Sequence, residues 1–420
     1  MIRPILFAAL LLTLTASAQT PDSAVNITVR LFSTQTINAL TITPLSKEAT
    51  QRTCPTCPSK PTPTKLQIDT TTKPLTLEGL LHITAAPDKQ ITAAGRWQIT
   101  PTPTGLKILL TLPSERYVVA ALTGEAAPDE PPQSLRALAV AIRTFALTNL
   151  NRHRPDSFNL CDSTHCQALR FTTPRPEIEQ AVRETAGETL WFGSQPGSRR
   201  ASIYYTQSCG GQTESASNVW PAEHEPYLTA HPDPFCIRRT PANWHAQITL
   251  AELATISRQQ NWHLPTTLES IRITKRTPSG RAVTLELAGH GETAQLSASS
   301  LHFALDRELG WNQLRSDWYS VTLANAALNF DGKGYGHGVG LCQTGAHQMA
   351  TEGHTYREIL AFYFPGTHTG ITPTDQGWQE TQHPNWTLLT TQPATTLPQL
   401  IAQAWTKAQS LFPPDRKSVV

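Results

Sequence analysis

Residues 26–45, NITVRLFSTQTINALTITPL, alternate apolar and polar side chains, the period of strands that bury one face. After a proline-rich stretch at residues 55–64, which reads as a loop, alternation resumes at Leu66. It runs to about Pro113 in short segments such as LTLEGLLHITA and GLKILLTLP. The period then changes. Val118, Ala121 and Leu122 recur at helical spacing behind Ser114, which predicts a helix N-capped by that serine and stopped by Gly124. A second helix is predicted after Pro131 and Pro132, with Leu135, Leu138, Ala139, Ile142, Phe145 and Ala146 on its apolar face. Farther on, RASIYYTQSCGGQTES reads as a strand turning at Gly210 and Gly211, LAELATISRQQ as a helix, and residues 268–330 as further strands. A helix is expected around Gly345–Glu352, and Thr355 with Glu358 forms the capping-box signature of another. A last short helix is read in LPQLIAQAWTKAQSLF. Together these elements predict an α+β fold: mixed sheets, a pair of helices flanking an acidic loop, and one large core domain with β-rich insertions.

Composition narrows the partners. The 420 residues carry 34 basic against 32 acidic side chains, which excludes the charge footprint of a nucleic-acid binder. The start, MIRPILFAALLLTLTASAQT, has a cation at Arg3, an apolar run from Ile5 to Leu14, and small residues at Ala16 and Ala18. That is the pattern of an export signal at residues 1–18, cleaved near Ala18. The run is shorter than the roughly 20 residues that span a bilayer, so the mature chain is expected to act outside the cytoplasm without a transmembrane segment. Seven cysteines stand at 54, 57, 161, 166, 209, 236 and 342. Export permits disulfides, and the odd count leaves at least one cysteine unpaired or ligating metal. Prolines around Cys54 and Cys57, in RTCPTCPSKPTPTK, argue against a thioredoxin-like unit and for a local disulfide.

Three places carry candidate chemistry. Glu125 follows Gly124 in the loop GEAAPDEPP between the two predicted helices. A lone loop glutamate is ordinarily solvated; burial by Ala126, Ala127 and Pro128 would raise its pKa toward what a general acid needs. The stretch CDSTHC puts Cys161, His165 and Cys166 within six residues, with His153 upstream. Two thiols and one or two imidazoles suit tetrahedral zinc, and a disulfide through Cys161 or Cys166 suits the same residues equally. The third is FDGKGYGHGVGLCQTGAHQMA, residues 330–350, with glycine at every second position from Gly332 to Gly340. It contains neither dinucleotide nor P-loop spacing. Read as extended chain, it leaves one face bare for close approach and projects Tyr335 and His337 from the other.

ERYVVAALTGEAAPD, SLRALAVAIRTFAL, CDSTHCQAL, SCGGQTESASNVW, PYLTAHPD and GKGYGHGVGLCQTGAHQMATEGHTYREILAFYFPGT occur in that order. In these stretches the chain resembles the stage II sporulation protein D family, which includes proteins called amidase enhancers. The resemblance implies a family domain at residues 66–370, preceded by a β-rich segment at 19–65 with its proline-rich loop and followed by an extension at 371–420. It further implies a lytic transglycosylase that cleaves between N-acetylmuramic acid and N-acetylglucosamine in peptide-free peptidoglycan strands and leaves 1,6-anhydro ends. Glu125 matches the family's essential glutamate, and Ser208, Gly210, Gly211, Tyr335, His337 and Gln343 are the residues expected to hold the sugar. His153, Cys161, His165 and Cys166 match a structural zinc set that catalysis does not require. The alternative is a non-catalytic wall-binding protein that stimulates an N-acetylmuramoyl-L-alanine amidase.

Overall fold

The computed structural model describes residues 25–195, 197–239, 242–310, 312–374, 378–383, 386–390 and 397–411. The export signal read at residues 1–18 lies outside them. Strands Leu75–Ala86, Lys89–Thr102 and Gly105–Pro113 form an antiparallel meander. Asn26–Leu31 pairs antiparallel with Gly105–Pro113, and Leu160–Cys161 joins parallel to Asn26–Leu31. Residues before and after 65 therefore share one sheet. Its alternation does what the sequence pattern predicts: Leu106, Ile108, Leu110 and Leu112 are buried together with Ile27, Val29, Leu77, Ile83 and Trp97. A Cys54–Cys57 disulfide closes a turn at the start of the proline-rich stretch, and Lys60–Pro61, read as loop, pairs with Thr50 and Gln51 at the edge of the sheet.

The chain passes from strand to helix without a loop. Helix α1 spans Ser114–Glu125, capped by extended Pro113. Ser114 is already inside the helix and buried, making no side-chain cap, which corrects the expected N-cap. Gly124 is no stop either. It lies within α1 and Glu125 is the last helical residue, the chain turning extended at Ala126. Helix α2, Pro132–Thr148, begins on its proline, whose missing N–H would be unpaired in a first turn anyway. It is buried on nearly every side from Ser134 to Ala146, the signature of a central core helix. Arg143 of α2, fully buried, grips Glu115 of α1 through two parallel hydrogen bonds (Nε–Oε1 2.8 Å, Nη2–Oε2 2.7 Å) and donates to the Glu188 carbonyl at 3.0 Å. This clamp sets how the two helices cross, and with it the position of the loop between them.

A second hydrophobic core lies within residues 244–330 and includes Trp244, Ile248, Leu253, Leu285, Leu301 and Phe330. It is built on the sheet Asn243–Thr249, Ala327–Lys333 and Tyr319–Ala324 and on the meander Ser270–Arg276, Ala282–Gly289 and Glu292–Ser297. Helices Leu250–Gln259 and Ala298–Leu309 cover it. The strand Ala327–Lys333 runs out of this core straight into the glycine segment.

There the extended reading fails. From Gly334 to Gly340 the alternate glycines take left-handed φ values of 85°, 94°, 79° and 72°. The segment winds against residues 204–214 instead of showing one bare face. Tyr335 and Ser208 exchange backbone hydrogen bonds (3.0 and 2.7 Å), and Glu214 donates to the Gly338 carbonyl at 2.8 Å. A Cβ on Gly338 would stand 2.0 Å from Arg281 Nη2, so close approach and backbone conformation both demand glycine. Helix Gln343–Thr351 starts earlier than predicted because the Cys342 sulfur caps it, accepting the Gly345 N–H at 3.4 Å. The capping box of Thr355 and Glu358 forms as expected at helix Tyr356–Tyr363. The terminal helix is Leu397–Leu411. Among the described residues no helix is long and apolar enough to cross a membrane.

Candidate functional site

A cleft of about 930 Å³ opens where the end of α1, the loop after it, Thr164–Cys166, Tyr204–Gln207, Tyr335–His337 and Gln343–His347 converge. Glu125 lies in its wall. Gly124 explains how: a Cβ there would lie 2.4 Å from the Ala168 carbonyl oxygen, so α1 packs directly on the backbone of residues 168–170. That contact brings the Ala168 N–H to 2.9 Å from Glu125 Oε1. Burial raises the Glu125 carboxyl above its ordinary pKa, and the Ala168 N–H and the Tyr205 hydroxyl offset part of the rise.

The hydroxyl of Tyr205 is aimed by a buried chain. Tyr117 donates to Gln167 Oε1 at 2.8 Å, and Gln167 Nε2 donates to the Tyr205 hydroxyl at 3.1 Å. With its oxygen already accepting, the Tyr205 hydroxyl keeps its proton for another acceptor, and it lowers the Glu125 pKa as a neighbouring donor does. Gln343 completes the surround, donating from Nε2 to the Glu125 carbonyl at 3.3 Å. The residue is thus held at its carboxylate by the Ala168 N–H and at its backbone carbonyl by Gln343.

His337 stands in the same cleft. Burial, followed by the charge of Arg281, holds its pKa at about 4, so the ring is neutral near pH 7. Its Nδ1 accepts the Val339 N–H at 3.0 Å, which leaves the proton on Nε2. His337 meets the edge of Trp220 at a centroid distance of 5.0 Å, and Trp220 stacks on Tyr204 at 4.3 Å. This aromatic wall suits the C–H face of a sugar ring. Tyr335 also lines the cleft, its hydroxyl on Asn312.

Ser208, Gly210 and Gly211 do not reach the cleft. Ser208 is buried with its hydroxyl 3.3 Å from the Cys236 sulfur; Gly210 backs onto Gly334 and Gly211 onto Ile237. The turn they form supports the glycine segment from behind. Sequence reasoning passed over Tyr205, Gln167, Trp220 and His347, which lines the cleft with Nδ1 3.6 Å from Glu130 Oε1. Glu130 itself is buried, and burial raises its pKa. The adjacent aromatics of IYYT were the one visible sign, but no spacing ties them to a glutamate eighty positions earlier.

The structure gathers His153, Cys161, His165 and Cys166, their ligand atoms all within 4.8 Å of one another. Cys161 and Cys166 are free, with sulfurs 3.0 Å apart. His153 Nε2 lies 3.3 Å from Cys166 Sγ, and His165 Nδ1 lies 3.6 and 3.7 Å from the two sulfurs. Four donors at zinc bond lengths on a tetrahedron stand roughly 3.3–3.8 Å apart, so the imidazoles and thiols fit a zinc ion after slight separation of the sulfurs. The loop that carries His165 and Cys166 continues into Ala168, the donor to Glu125.

Comparisons with known proteins converge on this region. The family model described as Stage II sporulation protein matches residues 102–192, which hold both helices, Glu125 and the Cys/His group. A domain of unknown function matches residues 237–340, nearly the extent of the second core. An uncharacterised protein of Brachyspira hyodysenteriae is 29% identical over 254 residues, covering 60% of this chain and 65% of its own. An amidase enhancer of Bacillus subtilis is 26% identical over 285 residues, covering 57% and 39%. Stage II sporulation protein D of Bacillus subtilis is 27% identical over 274 residues, covering 61% and 74%. The chain spans less than two thirds of the length of the first two of these relatives.

Proposed function

The chain belongs to the stage II sporulation protein D and amidase enhancer family, and from that premise we propose that it is an exported lytic transglycosylase of peptidoglycan with Glu125 as its acid and base. One observation carries the reading: a glutamate with a raised pKa, fixed in an aromatic-walled cleft by the Ala168 N–H, with the Tyr205 hydroxyl favouring its ionised form. Protonated Glu125 donates to the glycosidic oxygen, and the bond to the muramic acid C1 breaks as positive charge develops there. The C6 hydroxyl of the same sugar attacks C1, and the Glu125 carboxylate takes the hydroxyl proton. The 1,6-anhydro sugar leaves and Glu125 is protonated again. Because the nucleophile belongs to the substrate, no second catalytic carboxylate is required. The Tyr335 hydroxyl oxygen, the remaining N–H and the carbonyl of the Gln343 amide, and the His337 ring are the cleft groups that would meet sugar oxygens.

His153, Cys161, His165 and Cys166 hold zinc in this reading, where it anchors the loop leading to Ala168. Four protein ligands leave no open position for Lewis-acid chemistry. Purified protein incubated with peptide-free glycan strands is expected to yield 1,6-anhydro products by mass spectrometry, and Glu125→Gln to lower their rate by at least about a hundredfold. A second reading, a wall-binding stimulator of an amidase, is favoured by the name of the amidase enhancer relative. Equal product from Glu125→Gln would remove Glu125 as the acid, whereas no product from either protein together with faster cleavage by an added amidase would decide for the second reading.

A further inference from the structure

Behind the cleft lies a second cluster that the proposed chemistry does not use. Cys209, Asp233, Cys236 and Cys342 are buried to 1% exposure or less, and their ligand atoms all lie within 4.8 Å of one another. They come from three chain segments: the turn after strand Tyr205–Thr206, the start of the short helix Pro234–Arg239, and the start of helix Gln343–Thr351. The three cysteines are free. Each sulfur has a polar partner, and that of Cys342 accepts two backbone N–H groups, as a thiolate does. Cys342 Sγ accepts the N–H groups of Cys209 at 3.2 Å and Gly345 at 3.4 Å, and Cys236 Sγ lies 3.3 Å from the Ser208 hydroxyl.

The carboxylate is as carefully aimed. Asp233 Oδ1 accepts the Cys236 N–H at 3.0 Å, and Oδ2 accepts the Tyr363 hydroxyl at 2.8 Å while standing 3.2 Å from Cys209 Sγ. A Cβ on Gly345 would fall 2.6 and 2.9 Å from the two carboxylate oxygens and 2.0 Å from the Tyr363 hydroxyl, so only glycine lets that helix close over the group. A disulfide would use two of the three sulfurs and leave the third buried beside the carboxylate, outside the bond that joins the other two. A divalent cation uses all four.

We propose that Cys209, Asp233, Cys236 and Cys342 form a second, closed zinc site. Three thiolates and a carboxylate oxygen make a tetrahedral set of the structural kind, with no position left for substrate. The set carries more negative charge than zinc neutralises. The N–H donors to sulfur and the Arg281 guanidinium, 3.0 Å from the Cys209 carbonyl, oppose the excess. The site staples three segments, and one of its ligands, Cys342, directly precedes Gln343, whose side chain holds the Glu125 carbonyl. Zinc here positions one wall of the cleft.

Metal content of the full exported chain, purified without added zinc and measured by plasma mass spectrometry, tests the site in a Cys161→Ser/Cys166→Ser background that removes the other ligand set. One equivalent of zinc is expected to remain, and Cys342→Ser added to that background to remove it. No zinc in the double variant, even after dialysis against zinc salt, would overturn the proposal. Alkylation of the unmutated, denatured protein without reductant is independent of whether any variant folds. Five reactive cysteines are expected once a chelator is present, and a disulfide mapped among Cys209, Cys236 and Cys342 would overturn the site. Cobalt loading of the same unmutated protein is expected to give thiolate charge-transfer absorption for five sulfurs, and intensity for two alone would equally overturn it. Loss of the Cys161/Cys166 zinc by itself touches only the first site.

Discussion

Glu125 is set up by neighbours that act in opposite directions, and their balance can be read by substitution. Burial raises its pKa, while the Tyr205 hydroxyl and the Ala168 N–H favour the ionised form. Tyr205→Phe removes one of these donors, so the Glu125 pKa is expected to rise further. The protonated acid then persists to higher pH, and the alkaline limb of the pH–rate profile for glycan cleavage should move upward. The same substitution loosens the carboxylate, and a rate about 2- to 10-fold lower at the optimum corresponds to one hydrogen bond of about 0.5–1.5 kcal/mol. An unmoved limb would show that Tyr205 does not contact the titrating group. Glu125 stood out in the sequence because it sat between two helical patterns, but Tyr205 and Gln167 did not. Their role depends on a side-chain chain from Tyr117 of α1 through Gln167, and contacts of that range leave no periodic trace in a sequence.

At the scale of elements, the helices and strands were legible wherever one face is buried, as in Gly105–Pro113 and α2, because burial imposes its period on the residue types. Caps were less so. Ser114 looked like an N-cap and Gly124 like a stop, yet the strand runs directly into α1 and Gly124 is there for contact with Ala168. The glycine segment was conspicuous and its conformation was not. Alternation with period two suggests a strand, whereas four left-handed residues in alternate places make a winding path that only glycine follows cheaply. Two glycines separate the causes. Gly353 has φ 92° with nothing within 4 Å of a would-be Cβ, so Gly353→Ala bears only the backbone strain, about 1 kcal/mol. Gly338→Ala adds a collision with the Arg281 guanidinium and is expected to cost at least about 2–3 kcal/mol by urea denaturation. Equal costs would mean that the Arg281 contact is slack.

In the whole molecule, polar side chains join the two hydrophobic cores. The seam is polar and buried. Arg281, from the meander of the second core, reaches across to donate to the carbonyls of Cys209 and Gln212 at 3.0 and 3.1 Å, with Nη1 3.7 Å from Glu214. Glu214 is 1% exposed and accepts from the Ser215 N–H, Asn218 and Thr277 at 2.7, 2.8 and 2.7 Å. It belongs to the segment that also pairs with Gly338, so this ion pair fastens the second core to the wall of the cleft. An ion pair so desolvated adds little over an apolar pair, but losing one partner strands the other charge, at about 3–5 kcal/mol. Arg281→Met should therefore destabilise the seam more than either core, and unfolding followed by far-ultraviolet dichroism and by tryptophan fluorescence should separate into two transitions where the native chain is expected to give one. Adding Glu214→Gln removes the stranded charge while keeping one acceptor oxygen, for the Ser215 N–H or for the Thr277 hydroxyl, and should recover part of the loss and bring the transitions back together. If Arg281→Met instead unfolds in a single transition of unchanged midpoint, the cores are joined by backbone pairing alone and the buried pair contributes nothing to their coupling.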